Sequence, residues 1–311
     1  MDVVYSSDEN YAQHLAVSIV SLLENNKQEE SITFYIFDNN ITEASKTKIR
    51  ELCTQYKREV HYIEFRDYAL NLKSKINCPI SISTYARLFI AELLPASCKR
   101  VIYLDCDTVV NGSIGSLLSM KMNNASVAGV LDTLPSYSKK NLGLRESDCY
   151  INAGVLLIDV EKWRNYDATD KFLRYLKDND YKVFYQDQGV INAVLNSEMI
   201  ILPPGYNVLT PFLTTKYKRL VKMYRLNNFY DEDEMAKAKA IPLIIHYTPE
   251  YVGRVWEKKC IHPRRELYIK YLSMTPWKGN IGEPTRITTK LRLIYWMERN
   301  LPVWLLRTLG C

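Results

Sequence analysis

Short apolar strand runs and helix-spaced apolar stripes alternate along this chain from its second residue, and that alternation constrains the fold more than any other feature. Asp2–Ser6 reads as a strand, after which Tyr11, Leu15, Ile19, Leu22 and Leu23 recur at helical spacing. Ile32–Phe37 and Val60–Phe65 read as further strands, separated by a helix around Lys46–Tyr56 that turns Ile49, Leu52 and Cys53 inward. Such alternation predicts a layered α/β sheet and not segregated halves. Further along, Val127–Leu131 ends in Asp132, and Val155–Val160 follows Ile151-Asn-Ala-Gly154. A single helix is expected over Glu161–Asp178, another opening at Tyr185-Gln-Asp-Gln188, and a buried strand over Ile241–His246. The loop-rich segment 203–240 is the least readable, and no internal repeat is present.

The 311 residues, 47% hydrophobic and 24% charged, suit one large globular domain with an appendage. We divide them into a domain over 1–275 and a small helical, basic, aromatic tail over 276–311. The opening residues lack the basic and apolar regions of a secretory signal, and no apolar run approaches the ~18 residues of a membrane span. Seven scattered cysteines without a CxxC pair suggest neither a disulfide framework nor a zinc site. A cytoplasmic protein is therefore expected. The net charge of +6 is uneven, because residues 286–311 hold five basic groups and one acidic. Trp296, Trp304 and Tyr295 lie among those arginines, a pattern suited either to peripheral contact with an anionic membrane or to packing on the domain. No nucleic-acid partner is expected.

Chemistry enters at Lys99–Asp107, where a β-branched and aromatic run delivers Asp105 and Asp107 to a strand end. On an extended backbone a spacing of two points both carboxylates to one face, within reach of one hard divalent cation. Such a cation keeps positions open for substrate oxygens, as Mg²⁺ or Mn²⁺ does on a diphosphate. His246 ends another expected strand, and two carboxylates with one imidazole suit Mn²⁺ better than Ca²⁺ or structural zinc. The run Ser6–Tyr11 lies between the first strand and the first helix, where α/β folds bind ligands. It contains neither GxGxxG nor GxxxxGK[ST], which disfavours a dinucleotide or P-loop reading.

Taken together, these residues resemble glycosyltransferase family 8, whose members are retaining enzymes of the GT-A fold, a Rossmann-like arrangement with a mixed, mostly parallel sheet. Within it the chain is similar to the bacterial lipooligosaccharide galactosyltransferases. The matching pieces are Val4–Tyr11, Ser83–Leu88, Val101–Asp107, Tyr150–Val155, Tyr185–Gln188 and His246-Tyr247, in family order across about residues 1–275. The resemblance implies that Asp105, Asp107 and His246 hold Mn²⁺ or Mg²⁺ against the diphosphate of a UDP-sugar donor, UDP-galactose or UDP-glucose. It implies that Asp8, Asn10, Tyr11 and the backbone near Ser6 bind uridine. Arg87, Asn152, Asp187 and Gln188 would surround the donor sugar, and Asp132 would face a glycan or glycolipid acceptor. Asp187 and Gln188 are the catalytic candidates, the first as nucleophile in a double displacement, the second as a stabiliser of positive charge. In the alternative same-face route UDP leaves ahead of the acceptor's attack.

The chain departs from the family at the loop after His246. Where many relatives have Gly-x-x-Lys-Pro-Trp, it has a longer run to Trp256, with Gly253 keeping the outline and Arg254 standing for lysine. Two other readings stay open at this level: a metal-dependent phosphohydrolase or nucleotidyltransferase using the same aspartates, and a non-catalytic sugar-nucleotide binder.

Overall fold

The computed structural model describes residues 1–76 and 81–284, with residues 293, 296, 297 and 299–303 beyond them. Its strands are β1 (Asp2–Asp8), β2 (Thr33–Asn39), β3 (Glu59–Glu64), β4 (Arg100–Leu104), β5 (Thr108–Val110), β6 (Val127–Leu131), β7 (Ile151–Asp159), β8 (Met199–Ile201), β9 (Val208–Leu209) and β10 (Ile244–His246). Seven of them form the central sheet in the order β3-β2-β1-β4-β7-β6-β8. Every neighbour pairs in parallel except at β7, which runs against both β4 and β6.

The middle of this sheet is covered on both faces, which is why β4, β6 and β7 read as largely apolar runs, whereas no residue of the edge strand β3 is buried. Val3 and Tyr5 of β1, Ile102 and Leu104 of β4, and Val155 and Leu157 of β7 pack on one face, with the helix Ala12–Asn25. Val4, Val101, Tyr103, Leu156 and Ile158 point the other way, onto Trp163, Phe172, Val190 and Ile191. That second layer contains the helices Val160–Asn165, Ala168–Asp178 and Gln186–Leu195.

The expected elements exist, with corrections at their ends. The helix expected over Glu161–Asp178 is two helices, broken where Asp167 takes a left-handed backbone with φ of 51°. The break turns the second helix so that Phe172 meets Trp163 edge-on at 5.3 Å. The strand expected at Val155 begins at Ile151, because Ile151 already pairs with Leu131. The strand expected at Ile241 begins at Ile244 and belongs to a separate three-stranded sheet, β5-β10-β9. Pro242 precedes it without an N–H to give a ladder.

The segment 203–240 holds the helices Thr210–Thr214, Tyr217–Tyr224 and Glu232–Ala240. The last opens on a capping box: the Asp231 side chain accepts from Glu234 N at 2.8 Å, and Glu234 Oε2 accepts from Asp231 N at 3.0 Å. The helical appendage expected over 276–311 and its membrane contact lie largely outside the described residues. No helix among the described residues is long and apolar enough to cross a membrane.

Asp231→Ala should remove that cap and cost about 1 kcal/mol. The loss would appear as a lower urea midpoint with an unchanged slope.

Candidate active site

All of the expected site residues gather at one rim of the central sheet, at the carboxyl ends of β1, β4 and β6 and the amino end of β7. In α/β sheets this is the rim where ligands bind. Asp105 and Asp107 reach it by a different geometry from the expected one. Their backbone turns between β4 and β5 instead of staying extended, fixed by Asp105 N on Gly154 O at 2.8 Å and by Thr108 Oγ1 on Asp105 O at 2.8 Å. His246 arrives from β10, which pairs with β5 so that Thr108 faces His246 across the ladder.

Donor atoms of Asp105, Asp107 and His246 lie within 4.8 Å of one another. His246 Nε2 is 3.2 Å from Asp107 Oδ1 and 3.8 Å from Asp105 Oδ2. Burial alone would lower the His246 pKa, but the charge and hydrogen bond of Asp107, aided by Asp105, outweigh it and hold the ring above its ordinary 6.5. Burial opposes ionisation of Asp107, and His246 with Arg254 outweighs that, keeping its carboxyl below 3.8.

Two further observations fit a cation with an anionic ligand here. A Cβ at Gly154 would lie 2.1 Å from His246 Cε1 and 2.7 Å from Asp105 Oδ2, so only glycine leaves room for the ligand set. Arg254 Nη1 is buried without a hydrogen-bond acceptor among the described residues, 3.5 Å from Asp107 Oδ2. Its loop turns at Gly253, with φ of 79°, and is anchored by Trp256, whose indole stacks on His14 at 3.8 Å. His14 donates to or accepts from the Tyr268 hydroxyl at 2.7 Å. Burial lowers its pKa to about 3, so the ring is a neutral platform.

Beside the ligand set, Arg87 is buried. Its Nη2 donates to Asp105 Oδ1 at 2.8 Å, its Nε faces Asp187 Oδ2 at 2.9 Å, and its Nη1 donates to Ala153 O. Tyr103 lies under the guanidinium at 4.5 Å and donates its hydroxyl to the same Asp105 oxygen at 3.1 Å. Burial raises the Asp187 pKa against the pull of Arg87. The next residue, Gln188, extends its amide to Asp132 Oδ2 at 2.9 Å and the Tyr150 hydroxyl at 3.0 Å, while its Oε1 accepts from Ala153 N at 3.0 Å. Asn152 also donates to Asp132 Oδ2, at 3.0 Å.

The uridine candidates lie at the end of β1. Asp8 accepts from Asn10 N at 3.0 Å and from Ser81 Oγ at 2.7 Å, and Tyr11 meets Trp256 edge-on at 6.0 Å. Ser6 turns its hydroxyl to Ser83 O at 2.7 Å, and its carbonyl accepts from Cys106 Sγ at 3.2 Å. Sequence reasoning missed Tyr103, His14 and Asn207. No local motif marks His14 or Asn207, whose partners are distant in sequence, whereas Tyr103 lies inside the matched run Val101–Asp107 and donates to Asp105 two residues on.

Residues 2–259 match the profile of "Glycosyl transferase family 8". The lipopolysaccharide 1,2-glucosyltransferase of Escherichia coli K12 is 31% identical over 290 residues, 90% of this chain and 80% of that protein. General stress protein A of Bacillus subtilis is 28% identical over 288 residues, 91% of this chain and 96% of its own. Among solved structures, the galactosyltransferase LgtC in complex with donor and acceptor sugar analogues superposes with a TM-score of 0.74 at 22% identity. The match spans 94% of this chain and 99% of that one, and the likeness establishes the fold.

Gly154→Ala should leave the protein folded and weaken Mn²⁺ binding about 10–100-fold, the range seen when groups supporting metal ligands are disturbed. A titration followed by the electron paramagnetic resonance of free Mn²⁺ reads it. If His246 ligates the metal, a proton on its ring would compete, and affinity should fall as pH drops through the raised His246 value. In metal-free protein the His246–Asp107 pair should stabilise the fold fully between pH 3.8 and 6.5. That contribution is lost as pH rises through the folded His246 value, or falls through the folded Asp107 value, and urea midpoints across pH would track it.

Proposed function

This chain belongs to glycosyltransferase family 8, a GT-A glycosyltransferase, and from that membership we propose that it moves galactose or glucose from a UDP-sugar to a cell-surface glycan or glycolipid, with retention at the anomeric carbon. The observation that carries the reading is the convergence of Asp105, Asp107 and His246 beside the buried, acceptor-less Nη1 of Arg254. Two carboxylates, one imidazole and a guanidinium that is ion-paired with Asp107 but makes no hydrogen bond through Nη1 suit a divalent ion with a diphosphate. Asp105, Asp107 and His246 would hold Mn²⁺ or Mg²⁺, which when bound neutralises charge on departing UDP. Arg254 would meet the phosphate oxygens from the loop side.

Asp8, Asn10, Tyr11 and the Ser6 backbone form the uridine end, and Asp132 lies toward the acceptor. Between them Arg87, Asn152, Asp187 and Gln188 line the donor-sugar position. The close pairing of Asp187 with Arg87 supports a role in holding that guanidinium, and with it the same-face route. There the bond from the anomeric carbon to the phosphate oxygen breaks with its electrons leaving on UDP. The acceptor oxygen bonds on the vacated face, and its proton passes to a phosphate oxygen. Gln188 Oε1, its carbonyl dipole oriented by Ala153 N, would face the developing positive charge. The basic tail over 276–311 belongs to the same proposal as an attachment to anionic membrane at the end of a catalytic domain over 1–275.

UDP release from UDP-galactose and UDP-glucose, with and without Mn²⁺, tests the function. The expected result is metal-dependent turnover of one donor, lost in Asp107→Ala. Rapid-quench mass spectrometry should find no sugar on Asp187, and a glycosylated Asp187 would establish the double displacement instead. Tight donor binding with no transfer to any glycan acceptor would leave a sugar-nucleotide binder.

A further inference from the structure

We infer that Asn207, a buried residue just before β9, is a positioning residue that fixes the tautomer of His246 and so presents Nε2 as the ligating atom. The inference rests on the metal role proposed for His246 but reaches it from hydrogen-bond direction alone. Asn152 Oδ1 accepts from Gly154 N at 2.9 Å, and a backbone N–H can only donate, so that atom is the amide oxygen. Its amide nitrogen then faces Asp132 Oδ2 at 3.0 Å and Gln188 Oε1 at 3.2 Å, both of them acceptors, which agrees.

The Asn207 atom 2.8 Å from Asn152 Oδ1 must therefore be its nitrogen. Asn207 Oδ1 is thereby turned to His246 Nδ1 at 3.1 Å, and an oxygen there requires the proton on Nδ1. In the neutral ring, Nε2 is left with a bare lone pair pointing at Asp107 and Asp105. Lone pairs facing one another in a buried place need a proton or a metal ion between them, and a metal would take the place that the proton holds in metal-free protein.

The direction of the whole network is set by the Gly154 backbone N–H, and the Ala153 N–H sets that of Gln188 independently. Asn207 is fully buried, so water does not compete for its amide. It also joins the metal side of the site to Asp132 and Gln188, through Asn152, without touching either.

Two-bond ¹H–¹⁵N correlation on the wild-type protein, at a pH where the ring is neutral, reads the tautomer directly, with His246→Gln assigning the resonance. The expected pattern is protonated Nδ1 and bare Nε2; the reverse would overturn the inference whatever the variants do. Asn207→Leu, similar in size but without hydrogen bonds, should bind Mn²⁺ about 10–100-fold more weakly. Asn207→Asp keeps an acceptor for Nδ1 but loses the donor to Asn152 Oδ1, so it should lose less affinity than Asn207→Leu. Equal losses in both variants, or wild-type affinity in Asn207→Leu, would make Asn207 a packing residue only. Failure of the wild-type protein to bind Mn²⁺ would count against the proposed metal chemistry itself, a result the tautomer measurement keeps separate.

Discussion

The rim of the central sheet depends on one buried positive charge. Arg87 is only 3% exposed, and a guanidinium taken out of water is tolerable only where its donors are met. Here they are met by two carboxylates and by backbone carbonyls, from Asp105 after β4, Asp187 on the helix Gln186–Leu195, Ala153 in β7 and Thr84 in its own turn. The planar fork fixes directions as well as charge, so each partner is held at a set angle to the others. Asp105 is thereby aimed at His246, and the helix carrying Asp187 and Gln188 is tied to the strand that carries Asn152. Removing the guanidinium would leave the buried Asp187 carboxylate and the half-buried Asp105 carboxylate without their cation.

What could be read from the sequence, and what could not, divides along physical lines. β1, β2 and β6 were legible because a strand buried on both faces is an apolar run bounded by polar residues, and little else produces that pattern; the edge strand β3 has no buried residue and was legible from its Val60, Tyr62 and Ile63. The early start of β7 was hidden by Asn152, whose polarity suggests a loop; in the structure its amide is spent on Gly154, Asp132 and Gln188. The break at Asp167 carries neither glycine nor proline, so nothing local announced it. The approach of Asp105 to Asp107 was expected from extended geometry and is achieved by a turn, a case in which the correct pairing followed from the wrong backbone. Residues such as Asn207 and His14 were illegible in principle, since their roles are defined by partners that only the fold supplies.

The loop after His246 shows how a departure from family pattern is absorbed. Gly253 supplies the left-handed turn, and Trp256 supplies the anchor by stacking on the neutral imidazole of His14. Arg254 Cζ lies 5.1 Å from the Trp256 ring, so its charge is steadied from below while Nη1 faces inward. The anchor reaches further, because Tyr268 on the helix Arg265–Leu272 holds His14 in turn. Elements from both ends of the domain thus converge beneath a single guanidinium.

The three-residue ladder between β5 and β10 has a consequence for how the protein comes into being. It joins segments far apart in the chain, and loop closure on that scale is a late and costly event. A ribosome that has delivered both aspartates has made only an acidic turn, with nothing opposite it. The imidazole emerges more than a hundred residues later, and β10 has no place to lie until β5 is already set. Until that ladder closes, the nascent chain carries both carboxylates without their imidazole, so the ligand set is assembled only after most of the domain has left the ribosome.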